Sequence, residues 1–293
     1  MFKVGGRSYG IALVAAASIF WSTAGLFVRL LGEMDVWTML GWRSLFAALS
    51  LFLVTAVQHG RNAPQAFSAM GWWGLAAVPI SAFSMFSFVA ALKLTSVANV
   101  MTVYATVPFV AAGIAFVWIG ERAERRVLFA SAIALAGIAV MAGFASRPDD
   151  IAGNALALSM TVTFSVLLVM ARRYPGIEMA PVNALAAALC ALACWPLMSG
   201  VVPSPGQLAI LALSGYTNTA LAYLLFLIGG RYIPSSEAGL IAMLDVVLGP
   251  LWVWIAFSEN PGTPALIGGA LVLAAVIWYL VGGLRSPKRP ASV

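Results

Sequence analysis

The sequence predicts an all-α integral membrane protein, with ten transmembrane helices arranged as two inverted five-helix repeats. Three observations lead there. Hydrophobic residues fill 62% of the 293 positions and charged residues only 9%, against about 25% charged in soluble domains. The apolar residues fall in ten runs, each near the ~20 residues that a helix needs to cross a hydrocarbon core. The charged and small landmarks of the first five runs then return in order in the last five. With a mean hydropathy of +0.98, too little polar surface remains for a soluble enzyme, a secreted disulfide scaffold or a disordered chain.

Breaking the chain at charges and Pro/Gly clusters places the spans at 9–30, 36–57, 71–92, 97–119, 127–146, 152–171, 180–200, 206–230, 236–257 and 264–284. The longest gap, Gln58 to Met70, leaves no room for a further domain. Met1 to Arg7, with Lys3 and Arg7, resembles a signal-peptide n-region. The apolar stretch behind it runs to Phe27, too long for an h-region, so it is expected to stay as the first span. Cys190 and Cys194 lie four apart inside the seventh run, which points to a buried thiol pair rather than a disulfide. Pro79, Pro108, Pro196 and Pro250 sit in or near span interiors and are expected to kink them.

The net charge of +6 does not form a nucleic-acid stripe. Basic residues stand singly or in pairs, and the densest group, Arg122, Arg125 and Arg126, is interleaved with Glu121 and Glu124. With the N-terminus in the cytoplasm, that side holds Lys3, Arg7, Arg61, Arg122, Arg125, Arg126, Arg172, Arg173, Arg231, Arg285, Lys288 and Arg289, and the other only Arg29, Lys93 and Arg147. The bias places both termini in the cytoplasm, in a multi-pass cell (inner) membrane protein.

Shifting by 138 residues sets Phe88 on Phe226, Lys93 on Arg231, Glu121 on Glu259, and Leu128, Ala132, Leu135 and Ala136 on Leu266, Ala270, Leu273 and Ala274. At a shift of 143, Gly10, Ser18, Ser22 and Arg29 meet Gly153, Thr161, Ser165 and Arg172. The units are residues 1–148 and 149–293. Five spans is an odd number, so the second unit is inverted, a pattern associated with alternating-access transport.

Two patterns carry a family resemblance. A span ending in Trp118-Ile119-Gly120-Glu121 follows Pro108, and its repeat mate holds Asp245 near Pro250, then Ser258-Glu259. Arg43 lies in Trp42-Arg43-Ser44-Leu45 of the second span. The chain thus resembles the drug/metabolite transporter (DMT) superfamily, EamA type, over its whole length, and is similar to the YddG-like amino-acid exporter branch. That resemblance implies a carrier that exports small metabolites, most readily amino acids, aromatic or other neutral ones. Val107 stands where an aromatic residue is expected before the fourth-span proline of aromatic-amino-acid exporters, so strict aromatic selectivity is not implied.

In lipid, polar side chains must face a partner or a water-filled cavity. Ser18, Ser22 and Gly25 form a stripe in span one, and Thr161 and Ser165 repeat it in span six. With Ser81, Thr102, Thr106 and Thr219 these either line a cavity or bind helices together; repeated, they favour a cavity among spans one, three, four, six, eight and nine. The expected substrate-binding residues are Ser84, Phe88, Met101, Tyr104, Phe164, Asn218, Tyr223 and Asp245. Asp245, mid-span, carries a carboxylate whose insertion costs about 2.5–3.5 kcal/mol; it either meets a substrate amine or proton, or is a structural group near Pro250. Arg43, about 10 Å into its span, either snorkels among Trp37 and Trp42 or binds a substrate carboxylate. Spans five and ten, rich in Ala and Gly, are expected to be peripheral scaffold, docking against each other or against their own half.

A membrane-embedded enzyme lacks its reagents here: the only histidine, His59, lies in a loop, and no phosphate loop or Cys/His metal spacing occurs. A channel, or a DMT-type carrier of another metabolite or drug, is the alternative. No catalytic residue, cofactor or metal is expected. The expected partners are a small-molecule substrate and membrane lipid, without nucleic acid, around a monomer.

Overall fold

The computed structural model describes residues 6–95, 97–142, 151–258 and 262–285. The boundary at 148/149 and the landmarks Lys3, Arg147, Asp149, Asp150, Glu259, Lys288 and Arg289 lie outside them. Among the described residues fourteen of fifteen α-helices build the ten expected spans, the short α4 lying between two of them, and no strand occurs. Span one is α1 (Arg7–Ser22) with α2 (Ala24–Leu31), span two is α3 (Val36–His59), and span three, after the short α4 (Ala63–Ser68), is α5 (Gly71–Leu94). Span four joins α6 (Val97–Tyr104) to α7 (Val107–Ile119), and span five is α8 (Arg125–Ala142). The second unit follows with α9 (Ile151–Arg173), α10 (Met179–Cys194), α11 (Pro205–Ser214) with α12 (Ala222–Gly229), α13 (Ser235–Ala242) with α14 (Leu244–Phe257), and α15 (Gly262–Arg285). Among the described residues nine segments are long and apolar enough to cross a membrane; α8, bounded by the undescribed residues after it, is the tenth expected span.

Apolar runs become helices because lipid offers no partner for backbone N–H and C=O groups, which a helix satisfies internally. The ends are set by local chemistry. Asp35 caps α3 by accepting the Thr38 N–H at 3.0 Å, and Ser204 with Gln207 forms a capping box on α11. Gly120 closes α7 at φ 68°, where the Glu121 N–H reaches back to Ala115 O at 3.2 Å. A left-handed turn favours glycine there, and it swings Glu121 away from the helix axis.

Repeat mates pack together: span two on seven, four on nine, five on ten, while span three meets six and span one meets eight. This exchange is what a pseudo-two-fold axis in the membrane plane produces. As expected, spans five and ten dock on one another. A Cβ on Gly137 would lie 2.6 Å from the Gly268 carbonyl oxygen, so two bare backbones meet where any side chain would force α8 and α15 apart. Around them Ala130, Ala134, Ile138, Val272, Ala275 and Val276 form a buried cluster that also takes in Leu240 and Met243.

Three spans are discontinuous and a fourth is underwound, which the proline positions only partly announce. Span four breaks at Ala105–Thr106, just ahead of Pro108. Span one breaks at Thr23, whose hydroxyl donates to Phe20 O at 2.7 Å, and span nine at Met243, both without proline at the break. Gly215–Leu221 in span eight is a π-helical turn. By contrast Pro79 and Pro250 lie within continuous α5 and α14, and Pro196 falls in a 3-10 turn after α10. Cys190 and Cys194 are buried free thiols.

Candidate substrate cavity

A cavity of about 170 Å³ opens among these breaks. Its lining is Trp21 and Ala24 of span one, Arg43 of α3, Ser84, Met85 and Phe88 of α5, and Met101 and Tyr104 of α6. Met160 and Phe164 of α9, Asn218 and Thr219 of the π turn, Tyr223 of α12 and Asp245 of α14 complete it. All eight residues expected at a substrate site thus face one space. Spans five and ten contribute none of this lining. Among the described residues no three His, Cys, Asp or Glu side chains gather in one place.

Aromatic rings make the apolar wall. Phe164 is the hub, with ring centroids 5.8 Å from Trp21, 6.1 Å from Tyr223, 6.2 Å from Tyr104 and 5.0 Å from the fully buried Phe226. The polar lining is mostly engaged with protein. The Asn218 amide nitrogen donates to Phe20 O and, at 3.1 Å, to Thr23 Oγ1, while Trp21 Nε1 donates to Asn218 O at 2.9 Å. Asn218 therefore braces the π turn against the break in span one. Ser84 Oγ donates to Met160 O at 3.4 Å, and Ser81 Oγ to Tyr223 Oη at 3.4 Å.

The polar stripes of spans one and six turn out to be packing. Ser18 and Thr161 donate to carbonyls one turn back, Val14 O and Ala157 O, both at 2.9 Å. Ser22 donates to Ile19 O and accepts from Trp252 Nε1. Ser165 is fully buried, and none of these four lines the cavity. The face that span one presents is instead that of Trp21 and Ala24, while the Ser18 and Ser22 side of the same helix packs against span nine.

Arg43 was expected either to snorkel or to bind, and it faces the cavity. Its Nε is buried without a hydrogen-bond partner, as is Asp245 Oδ1. Cys190 and Cys194 lie beside Arg43, Tyr104 lies beside Asp245, and the Asp245 carboxylate accepts from the Val246 N–H at the start of α14. No ion pair joins Arg43 to Asp245 or either to another described residue.

Charges on the two units do pair at one end of the bundle, the basic end, where α1, α9 and α13 carry their ionic residues. Arg7 Nη2 meets Glu237 Oε1 at 2.7 Å, with Glu237 only 1% exposed. Glu121 accepts from Arg172 Nε and, at 3.1 Å, from the Ser235 N–H, while Arg172 also donates to Ile233 O. His59 Nε2 lies 2.8 Å from Glu178 Oε2. The Arg7–Glu237, Glu121–Arg172 and His59–Glu178 contacts each join the first unit to the second. Arg231, nearby between α12 and α13, is pushed below the ordinary guanidinium value by burial. Packing is correspondingly dense: Leu167–Ala171 of α9 and all of α13 are buried, whereas α14 has no buried residue.

Two inverted helical units, closed together at one end over a mid-depth cavity built from broken helices, define a multi-pass membrane transporter of the inverted-repeat class. The EamA-like transporter family model matches the chain twice, over residues 8–143 and 150–281, and the chain belongs to that family. It is 27% identical over 271 residues to an uncharacterized transporter of Archaeoglobus fulgidus, an alignment covering 92% of this chain and 95% of that protein. The fold also matches a solved structure described only as the crystal structure of a protein, with a TM-score of 0.81 at 21% identity, covering 96% of this chain and all of that one.

Proposed function

We propose that this EamA-family transporter is a secondary carrier that exports small metabolites, amino acids foremost, by alternating access between units 1–148 and 149–293. Both termini lie in the cytoplasm in this reading, so the basic end is the cytoplasmic gate and the conformation described faces outward. The observation that carries it is the two unit-to-unit ion pairs, Arg7–Glu237 and Glu121–Arg172, that hold the basic end together. A carrier needs such contacts to be exchanged between its two states; a static anchor has no use for them.

The cavity size fits the substrate class. At about 170 Å³ it is below the ~300–1,000 Å³ typical of drug-sized ligands, and aromatic walls with few polar contacts suit a small, partly apolar solute. One cation in the lining, Arg43, argues against phosphate esters, whose charge calls for several. The test is uptake of a panel of labelled amino acids into proteoliposomes, with and without a pH gradient. Saturable uptake of at least one is expected; no uptake above protein-free liposomes would overturn the reading.

A further inference from the structure

We infer that Arg43 and Asp245 form a two-point charge reader that selects zwitterions, Arg43 taking the solute's carboxylate and Asp245 its ammonium. This rests on the carrier reading above and names the chemical feature that the site recognises.

Both side chains face the same cavity, and each keeps a buried polar atom without a partner. A charge within a membrane span is expensive, by about 2.5–3.5 kcal/mol on insertion scales, and charges so placed are normally paired or functional. At the basic end buried charges follow that rule: Arg7 pairs with Glu237 and Arg172 with Glu121. Arg43 and Asp245 have no such ion pair among the described residues, and they are opposite in sign, in one cavity and on different units. Their bases are held: Asp245 sits in the first turn of α14, where the helix dipole favours an anion, and Arg43 lies beside the Cys190–Cys194 thiols rather than a carboxylate. A solute bearing one carboxylate and one ammonium neutralises both at once. One lacking either group leaves a buried charge unmatched, and unmatched buried charges are what discriminate strongly between ligands. Phe164, Trp21 and Tyr223 then meet the remaining apolar part.

The experiment measures binding to the purified full-length protein by tryptophan fluorescence, Trp21 being in the lining. The probes are the twenty common L-amino acids, each with its amide, which lacks the carboxylate charge, and its 2-hydroxy acid, which lacks the ammonium. At least one amino acid should bind at least tenfold tighter than both derivatives. Arg43→Gln should bring the amino acid down to within twofold of its amide while the 2-hydroxy acid remains disfavoured; Asp245→Asn should do the reverse. Arg43→Lys, which keeps the charge, should retain discrimination against the amide and supports the proposal if Arg43→Gln fails to yield folded protein. The proposal is overturned if no amino acid binds, if derivatives bind within twofold of the parent, or if either neutral variant weakens all three forms alike. Exchange in proteoliposomes separates the readings: charge-selective binding without exchange removes the carrier and leaves the reader, and exchange indifferent to solute charge does the opposite.

Discussion

Replacing Glu121 by Gln should loosen the basic end of the bundle, the cytoplasmic gate of the proposed carrier, by a calculable amount. The glutamine keeps the volume and an oxygen for the Ser235 N–H, but removes the charge opposite Arg172. The two side chains are 16% and 26% exposed, between a surface pair worth 0–1 kcal/mol and a buried one whose rupture costs 3–5 kcal/mol. An intermediate loss of about 2 kcal/mol corresponds to a roughly 30-fold shift toward the state open to the cytoplasm. The readout is the rate at which a Met101→Cys probe in the cavity reacts with a membrane-impermeant maleimide in inside-out vesicles, with Cys190 and Cys194 replaced by alanine. Glu121→Gln should raise that rate by an order of magnitude or more and slow labelling from the outside. Arg172→Gln should do the same, and the double variant should add little, since either change removes one shared interaction. A rate unchanged within twofold in folded protein would show that the pair is an ornament of the surface and not a gate.

Gly268→Leu places a side chain against the Gly137 backbone; overpacking of about 1–3 kcal/mol should lower the melting temperature in detergent by a few degrees per kcal/mol and leave ligand affinity unchanged, and an unaltered melting point would refute close docking of α8 on α15. Glu33→Cys should be labelled from outside intact cells and Arg173→Cys should not; the reverse pattern would invert the topology.

Fold and scaffold were legible in the sequence because lipid imposes simple rules. Run length sets the spans, Lys and Arg mark one side, and the small residues around Gly137 and Gly268 mark where helices touch. The cavity lining was legible where a bulky or amide side chain stands in a polar neighbourhood, as Phe164, Asn218 and Tyr223 do. What periodicity could not show is which side of span one looks inward: a polar stripe reads alike whether it lines a cavity or bonds to carbonyls and to Trp252, as Ser18 and Ser22 do, while Trp21 on the neighbouring side meets the cavity. Arg43 was ambiguous for a related reason: seven residues from its helix start, it is within reach of either the interface or the interior. The ion pairs at the basic end were invisible as partners because Arg7 and Glu237 are 230 residues apart, although Glu121 and Arg172 had each stood out as repeat landmarks.

Counterflow tests the carrier reading most directly. Proteoliposomes loaded with a high concentration of an unlabelled amino acid that the protein binds are diluted into a trace of the same amino acid in labelled form. An alternating-access carrier should accumulate the label transiently above its outside concentration, with an initial rate accelerated by the internal solute and saturating with it. Uptake that is neither accelerated by internal solute nor saturable would be the behaviour of a channel, and would contradict the account.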